Sequence, residues 1–483
     1  MSNSPHTTSI HILDDYSLLN IFHLYRPFLL GEDGDDGKRL QGGSSGWAGE
    51  HWWFKLTHVC QRWRNLILGS ASYLGLCLLC TDGTPASDML AHSPPLPLVI
   101  EYLEKDNNAD ITAKNEEAII LALEQRDRVR RIRLQISLLK LQKFIMAMEG
   151  EYPILEYLIL ADPLKDTSTV LILPETLETP HLRHFATSCS IQIRPPLFAA
   201  AASLVTLYLA LYHPSTYIQP TVLLQCLSSI PQLEILAIGF QFAVPNRDVE
   251  RQLMHRPIMT HVTLSNLHFF VFRAVSAYSE AVLSRITAPR LENFQIFYHK
   301  QLTYSVPQLP QFMGRTENFR FDRADFKFSR DQVNVKVYPR KTDMPMNVFF
   351  ITVDCWHLDW QVSSVAQIFN ALSQIFSAVE HLTLVHKVHS RSSEEHNEVD
   401  RTEWRKLLRL FTNLKTLRID DGLVKELSRC LRLEDEEDPL ELLPELQELT
   451  YSGSGNANDA FTSFIDTRRN VNRPVTLIKS KRW

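Results

Sequence analysis

The stretch Leu155–Leu160, LEYLIL, places apolar side chains at its first, fourth and sixth positions. The same spacing returns at Leu204–Leu209 (LVTLYL) and at Leu233–Ile238 (LEILAI). Eight segments fit it clearly and four fit it more weakly, namely those that start at Val129, Leu182, Thr316 and Met346, and successive first residues lie 22 to 35 residues apart. Those first residues are Val129, Leu155, Leu182, Leu204, Leu233, Leu264, Leu291, Thr316, Met346, Val379, Leu414 and Leu446. A spacing that recurs over so narrow a range of steps indicates internal repeats.

Each copy of the motif predicts a short strand. Its last two apolar residues alternate, so their side chains point to the same side of the strand. One strand cannot bury that side alone, and successive copies are therefore expected to stack into a parallel sheet with a shared core. Helix-like apolar spacing at Ile119–Glu124, Ala277–Ile286 and Val365–Phe376 predicts helices that cover the sheet.

We therefore predict an α/β fold: a leucine-rich repeat solenoid of parallel strands with outer helices, covering residues 76–470. The alternative is an ordinary α/β sheet with similar buried strands. A proline lies two residues before the first leucine of five copies, where it stops a helix and starts an extended segment. These are Pro153, Pro180, Pro231, Pro289 and Pro444. No copy has asparagine or cysteine three residues beyond its last apolar position, where such repeats usually carry one, so we expect an irregular solenoid.

Composition limits the classes of protein to consider. The 483 residues are 45% hydrophobic and 22% charged, with a net charge of -5, which is typical of a folded protein and unlike a general nucleic-acid binder. Residues 1–10 lack the layout of a secretory signal, and no stretch offers the ~20 consecutive apolar residues of a membrane span. Seven scattered cysteines argue against a disulfide framework and favour the cytoplasm or the nucleus.

The first 75 residues predict a small helical module. Asp14 and Asp15 precede an apolar helix pattern and are placed to cap it. A second pattern steps by three or four residues through Trp53, Leu56, Cys60, Trp63 and Ile67. A polar, glycine-rich insert at residues 31–49 separates the two patterns, and residues 471–483 are expected to form a C-terminal tail.

These residues resemble a known module, the F-box. The resemblance is carried by the acidic pair before an apolar helix and by L-x-x-V-C-x-x-W-R, which begins at Leu56. Three further stretches are similar to F-box proteins of mushroom-forming fungi: Ser93–Tyr102, Glu124–Leu134 and Gln301–Phe321. The chain departs from the F-box in two ways, since Ile12-Leu13 replaces the usual leucine-proline opening and the 31–49 insert enlarges the loop.

The resemblance implies partners and site residues. An F-box binds a Skp-type adaptor and, through it, a cullin ubiquitin ligase. The apolar residues that would form or present this surface are Ile12, Leu13, Leu18, Ile21, Phe22, Trp53, Leu56, Val59 and Trp63. Some of them must form the core of the module, and the sequence leaves open which of them face a partner.

A protein client would bind the array. In a leucine-rich repeat the residue between the last two apolar positions lies on the concave face of the sheet. Read copy by copy, these residues are Arg133, Ile159, Ala186, Tyr208, Ala237, His268, Gln295, Arg320, Phe350, Thr383, Arg418 and Thr450. Seven of them, Arg133, Tyr208, His268, Gln295, Arg320, Phe350 and Arg418, are the candidate client contacts. The row mixes apolar, polar and basic residues without an acidic one, and encodes no recognisable ligand class.

The sequence predicts no catalytic, cofactor or metal site. Gly42–Gly46 (GGSSG) matches the serine nucleophile motif, but no strand precedes it. Cys77 and Cys80 have C-x-x-C spacing without the second pair that a zinc site needs. Other candidates are interpreted as solvent-facing or structural: His381, His386, His389 and His396, the arginines between Arg126 and Arg133, and the acidic run Glu434–Asp438.

Three functional hypotheses follow. The first is a substrate-recruiting subunit of a ubiquitin ligase. The second is a repeat scaffold that works independently of a ligase, because the docking module departs from the F-box pattern. The third, a hydrolase that uses Ser44 or a cysteine, has little support in the sequence.

Overall fold

The computed structural model describes residues 12–25, 52–82, 86–104, 113–166, 169–193, 197–198, 201–242, 249, 258–316, 318–339, 348–387, 401–432, 440–452 and 460–480. The chain forms two compact units, Met1–Tyr208 and Leu209–Trp483. It is a mixed α/β protein with a large, mostly parallel sheet and, within those residues, fourteen α-helices. The insert at 31–49, Ser44, His389, His396 and the acidic run at 434–438 lie outside the described residues.

The first unit begins with helices and continues as alternating strands and helices. Its helices are α1 (Asp15–Tyr25), α2 (Gln61–Gly69), α3 (Ala71–Leu74), α4 (Ala86–His92), α5 (Ala113–Glu124) and α6 (Leu138–Ala147). Its strands are β1 (Leu78–Cys80), β2 (Leu98–Leu103), β3 (Val129–Gln135), β4 (Tyr157–Ala161), β5 (Leu171–Ile172), β6 (His184–Ser188), β7 (Ile191–Gln192) and β8 (Thr206–Leu211), the last of which crosses the unit boundary. The sheet order is β1-β2-β3-β4-β6-β8, and β5 pairs with β7.

The second unit has the same alternation. Its helices are α7 (Pro220–Ser228), α8 (Ser276–Leu283), α9 (Gln308–Gly314), α10 (Leu358–Ala371), α11 (Ser373–Phe376), α12 (Arg401–Leu408), α13 (Asp421–Leu431) and α14 (Thr462–Asn470). Its strands are β9 (Ile235–Phe240), β10 (Val262–Thr263), β11 (Phe269–Ala274), β12 (Ile286–Thr287), β13 (Asn293–Tyr298), β14 (Arg323–Phe328), β15 (Gln332–Tyr338), β16 (Val348–Asp354), β17 (His381–His386), β18 (Thr416–Ile419), β19 (Glu448–Ser452) and β20 (Thr476–Ser480).

A turn of one kind leads into many of the strands. The backbone N–H of the motif's first leucine donates to the carbonyl three residues earlier, as in Leu155 to Tyr152 (3.3 Å) and Leu446 to Leu443 (3.1 Å). The five prolines occupy the second position of such turns, where a fixed φ near -65° is favoured. The turn buries the leucine two residues before the strand begins, and the next two apolar side chains then enter the same core from the strand.

Neighbouring strands are in register at the motif positions. Ile132 of β3 lies beside Leu158 of β4, which lies beside Phe185 of β6. In the second unit Leu236 of β9 lies beside Phe270 of β11, which lies beside Phe294 of β13. The apolar positions of successive strands therefore form continuous buried rows on one face of the sheet in each unit.

Two motif copies are shifted relative to the sequence prediction. Leu264 is the first residue of the turn that ends at Leu267, so the strand residues of this copy are Phe270 and Phe272. The prediction failed because the spacing fits twice in a segment with so many apolar residues. The copy assigned to Thr316 is wrong for the same reason: the strand is β14, and its buried residues are Ala324 and Phe326.

The order of strands in the second unit departs from a simple chain-order array. It runs β9-β11-β13-β16-β15-β14-β17-β18-β19-β20. β15 is antiparallel to both β14 and β16, whereas β13 pairs with β16 and β14 pairs with β17 in parallel. The physical reason is the short connection after β14, where the Ser329 N–H donates to the Gln332 carbonyl (2.9 Å), because only antiparallel strands can be joined so tightly.

Helices cover the buried face of the sheet in the second unit. The ring centroid of Phe312 on α9 lies 5.1 Å from that of Phe294 on β13. The Phe326 ring on β14 lies 5.4 Å from Phe369 on α10, and the nearby Phe328 ring lies 5.5 Å from Trp404 on α12. The helices predicted at Ala277–Ile286 and Val365–Phe376 correspond to α8 and to α10 with α11.

Two further observations concern the helices and the C-terminal end. In the part of the chain that the structure describes, none of the helices combines the length and apolarity needed to cross a membrane. Strand β20 lies within the segment predicted as a C-terminal tail and pairs in parallel with β19. Its sequence TLIKS places Leu477 and Ile478 side by side without the apolar–polar alternation that would predict a strand.

Candidate functional site

Helix α1 begins at the acidic pair that the sequence singles out. The Ser17 backbone N–H donates to a carboxylate oxygen of Asp14 (2.7 Å), and this hydrogen bond lowers the pKa of Asp14. Asp15 lies in the first helical turn and accepts from Arg62 of α2 (2.7 Å). Arg62 also donates to the Leu13 carbonyl (2.7 Å). The predicted cap is thus confirmed for Asp14, while Asp15 holds the two helices together.

The module has its own apolar core. Leu18 and Phe22 of α1 are buried, and the Phe22 ring meets the Trp63 ring edge-on with 4.8 Å between centroids. Trp53 is also buried, and its indole N–H donates to the Cys77 carbonyl (3.2 Å). Of the residues predicted to form or present the docking surface, Leu18, Phe22 and Trp53 therefore hold the module together.

Other predicted docking residues face outward. Ile12 is 78% exposed, Val59 is 58% exposed and Ile21 is 44% exposed. Leu13, Leu56 and Trp63 are half-buried. An exposed branched or aromatic side chain is ordinary when it stands alone, but a group of them on one small module indicates a binding surface.

Sequence reasoning missed several exposed apolar side chains in the same module. These are Tyr16, Leu24, Tyr25, Phe54 and Tyr73. Helical geometry contains the signal for two of them: once Leu18 and Phe22 face the core, Tyr16 and Leu24 must point away from it. Tyr73 contacts α1, since its hydroxyl donates to the Asn20 side chain (3.0 Å).

The strand face opposite the core carries the predicted client contacts. In the first unit Arg133, Ile159 and Ala186 lie side by side on β3, β4 and β6, and Tyr208 lies on β8. Arg133 is buried and forms an ion pair with Glu101 of β2 (3.5 Å). The interpretation of Arg133 as solvent-facing is therefore wrong, because the neighbouring strand supplies an acidic partner 32 residues away. An acidic residue thus belongs to this row.

A stack of side chains crosses the same face two residues earlier in each strand. The Arg131 guanidinium lies 4.8 Å from the Tyr157 ring centroid, and the Tyr157 ring stacks on His184 at 4.1 Å. Burial, reinforced by Arg183 and Arg131, lowers the pKa of His184 to about 4. His184 is therefore neutral near pH 7, and its Nδ1 lies 3.1 Å from the Thr206 hydroxyl.

In the second unit the register changes two of the predicted contacts. Ala237, Gln295 and Phe350 lie in one row, and Thr383, Arg418 and Thr450 lie in another. His268 and Arg320 precede their strands, so their assignment to the face is wrong. Their places are taken by Val271 and Asp325, as a consequence of the shifted motif copies.

Charged and aromatic side chains are interleaved on this part of the face. Arg273 of β11 pairs with Asp354 of β16 (2.9 Å), and the Tyr338 hydroxyl donates to Asp325 (2.9 Å). The Lys336 ammonium lies 5.0 Å from the Tyr338 ring centroid. Such a surface can bind a polar partner through non-covalent contacts, with both signs of charge present.

The described cysteine and histidine residues that the sequence offered as candidates for a metal or catalytic site are buried or hydrogen-bonded within the fold. Cys77 and Cys80 are buried, and burial raises the pKa of Cys80 to about 12. The His381 ring lies 2.6 Å from the Thr416 hydroxyl. Across the described stretches, no three histidine, cysteine or acidic side chains come together closely enough to hold a metal ion.

The arginines between Arg126 and Arg133 also have structural partners. Arg128 donates to the Leu96 carbonyl (3.2 Å) and to the Pro94 carbonyl (3.3 Å). Arg130 pairs with Glu156 (2.9 Å). Much of the positive charge of the cluster is therefore committed to contacts between neighbouring segments of the first unit.

Comparison of the chain with models of protein families gives no match, and a search of curated proteins gives no similar sequence.

Proposed function

We propose that this chain is a non-catalytic, substrate-recruiting subunit of a ubiquitin ligase of the Skp-cullin-F-box type. The helical module at the N-terminal end would bind the Skp-type adaptor, and the remainder of the chain would bind a protein client. The single observation that supports docking most directly is the group of exposed apolar side chains on a module whose own core is already complete.

The division of labour within the module supports this proposal. Leu18, Phe22 and Trp53 complete the core, so the exposed Ile21, Leu24 and Val59 are not needed to hold the module together. Exposing them to water costs free energy that binding would recover, at about 25 cal/mol per Å² of apolar surface covered. The resemblance of the Leu56–Arg64 segment to an F-box is the reason to propose a Skp-type adaptor as the partner.

The rest of the chain is proposed to be an irregular leucine-rich repeat solenoid. The recurring turn, the buried leucine and the in-register strands support this assignment. Its client contacts would include Tyr208, Gln295, Phe350 and Arg418, which lie on the face away from the core. A ligase subunit of this kind would act in the cytoplasm or the nucleus.

Capture of a recombinant Skp-type adaptor by the full-length chain tests the docking proposal. Two surface variants, Leu24→Asp and Val59→Asp, should each weaken capture at least tenfold, because a carboxylate cannot be covered by an apolar partner without loss of hydration. The matched control is Leu139→Asp, which alters a leucine on α6 that is 78% exposed outside the module.

The control should capture the adaptor as well as the unaltered chain does. If the folded, unaltered chain captures no adaptor, the ligase proposal is wrong and the chain is better explained as a repeat scaffold that works independently of a ligase. Circular dichroism of each variant establishes that the fold is intact.

A further inference from the structure

A pocket in the first unit borders the docking module and shares Phe54 with its exposed apolar group. It has a volume of about 450 Å³ and lies between the segment from Trp53 to Leu68, strand β1 and the end of helix α4. Pockets of 300–1,000 Å³ with mostly apolar walls are typical sites for small molecules. This pocket is therefore a candidate ligand site.

The walls of the pocket are mainly apolar. Its apolar lining consists of Trp53, Phe54, Leu68, Leu78, Met89 and Pro94. The hydrogen bond from the Trp53 indole to the Cys77 carbonyl fixes one wall. The Phe54 ring lies 6.0 Å from the Trp53 ring and 4.7 Å from the His58 ring, both edge-on, so two further rings continue that wall.

The titratable groups that line the pocket are all basic. They are His58, Arg64 and His92, and no carboxylate is present in the lining. The Arg64 Nε–H donates to the Thr57 carbonyl (3.0 Å), which orients the guanidinium, and no carboxylate of the described residues forms an ion pair with it. The His92 Nδ1–H donates to the Asp88 carbonyl (2.9 Å), which holds the imidazole ring in the pocket lining.

We propose that this pocket binds a small apolar monocarboxylate, with the hydrocarbon body between Phe54 and Met89 and the carboxylate at Arg64. The apolar walls favour burial of the body, and the exclusively basic lining selects an anion over a neutral or cationic ligand of the same shape. Arg64 can meet a carboxylate with its two terminal nitrogens, which is the geometry that arginine offers best.

Calorimetric titration of the full-length chain with decanoate tests the proposal. Decanoate should bind saturably with one site per chain, and decan-1-ol should bind at least tenfold more weakly, because it lacks the charge that Arg64 recognises. Arg64→Gln should weaken decanoate binding at least tenfold and leave decan-1-ol binding unchanged. Arg290→Gln, which alters an exposed arginine in the second unit, is the matched control and should change neither affinity.

A second variant and a second probe test whether the pocket itself binds the carboxylate and whether a peptide binds it better. Met89→Trp fills the pocket and should abolish binding of both ligands even if Arg64→Gln fails to fold. A short peptide with a C-terminal leucine carboxylate, titrated in parallel, should bind more weakly than decanoate. The proposal is overturned if decanoate binds the unaltered chain and Arg64→Gln equally well. It is also overturned if the peptide binds more tightly than decanoate, or if decanoate shows no saturable binding. Adaptor capture and carboxylate binding are measured separately, so either can fail alone.

Discussion

The ion pair of Glu101 and Arg133 is the main charged contact buried on the strand face of the first unit. Both side chains are almost fully covered, and their charged atoms are 3.5 Å apart. Removal of one partner from a buried pair is strongly destabilising, because the other charge remains in a poorly solvated position. The pair therefore fixes the register of β2 and β3 more firmly than an exposed pair could.

We predict that Arg133→Met lowers the free energy of unfolding by about 3 kcal/mol. Urea denaturation followed by tryptophan fluorescence provides the measurement. Arg418→Met is the control, since Arg418 is exposed at the corresponding position of β18 and its loss should cost less than about 1 kcal/mol. Equal effects of the two substitutions would show that the buried ion pair contributes no more to the free energy of unfolding than an exposed arginine does.

Glu280 is a second buried charge with an identifiable role. Its carboxylate accepts hydrogen bonds from the backbone N–H groups of Gln308 and Leu309 (3.2 Å for Leu309) at the start of α9. Burial nevertheless raises the pKa of Glu280 to about 7, from 4.5. The unfolded chain thus releases this proton at a lower pH than the folded chain does.

The sign of the resulting pH dependence follows from linkage. Between about pH 4.5 and pH 7 the folded state binds more protons than the unfolded state, so stability falls as the pH rises. For this one group the change is on the order of 3 kcal/mol. We predict that Glu280→Gln removes this part of the slope, and that unfolding free energies at pH 5 and pH 8 reveal its loss. Glu441→Gln, at a surface pair, should keep the slope of the unaltered chain; parallel profiles for all three would contradict the prediction.

At the scale of elements, the turn that leads into many of the strands is the feature that recurs with least variation. Its proline, where present, fixes the backbone before the buried leucine, and its hydrogen bond returns the chain to the sheet. Gly150 precedes the turn that leads into β4 and has a φ of +89°, a conformation that L side chains rarely adopt. A Cβ atom added there would lie 2.6 Å from a guanidinium nitrogen of Arg126.

We predict that Gly150→Ala destabilises the chain by about 1–2 kcal/mol, because alanine is strained at positive φ. Thermal unfolding monitored by circular dichroism measures the shift. Gly314→Ala is the matched control: Gly314 ends helix α9 and has open space around it, so alanine should be neutral or slightly stabilising. An unchanged melting temperature for Gly150→Ala would contradict the assigned backbone conformation.

At the scale of the whole molecule, the reactivity of the cysteine thiols measures how well the core excludes solvent. All seven cysteines are free; six are buried and only Cys60 is partly exposed. Burial raises the pKa of Cys80 and Cys189 to about 12 and that of Cys226 to about 11. The thiolate is the reactive form, so these cysteines should be inert in the folded chain.

We predict that a thiol-specific chromogenic disulfide reagent modifies at most one cysteine quickly in the native protein and all seven in denaturant. Cys60→Ser should remove the fast phase and leave the other six protected. Rapid reaction of several thiols in the folded Cys60→Ser variant would show that the core opens readily or is packed differently.

Much of the candidate site was predictable, for local reasons. The cap at Asp14, the two helix patterns of the module and the strands at most motif copies depend on spacing within a few residues. The division of the predicted docking residues into core and surface was not predictable. Leu18 and Ile21 are similar apolar residues of the same helix, and only the packing of the other helices against α1 decides which of them is buried. The basic pocket was also invisible, since Arg64 and His92 come from separate elements.

The sequence by itself determined the local unit found at most motif copies: a turn, a buried leucine and a short strand with two apolar residues on one side. That unit follows from backbone geometry over about ten residues, which the spacing of side chains records directly. Only the tertiary structure decided that Arg133 is buried against Glu101 and that β16, β15 and β14 lie in reversed order. Strand pairing joins residues tens of positions apart. Which of several possible strands pairs with a given one depends on the hydrogen bonds and burial of both strands, so no single segment of sequence predicts it.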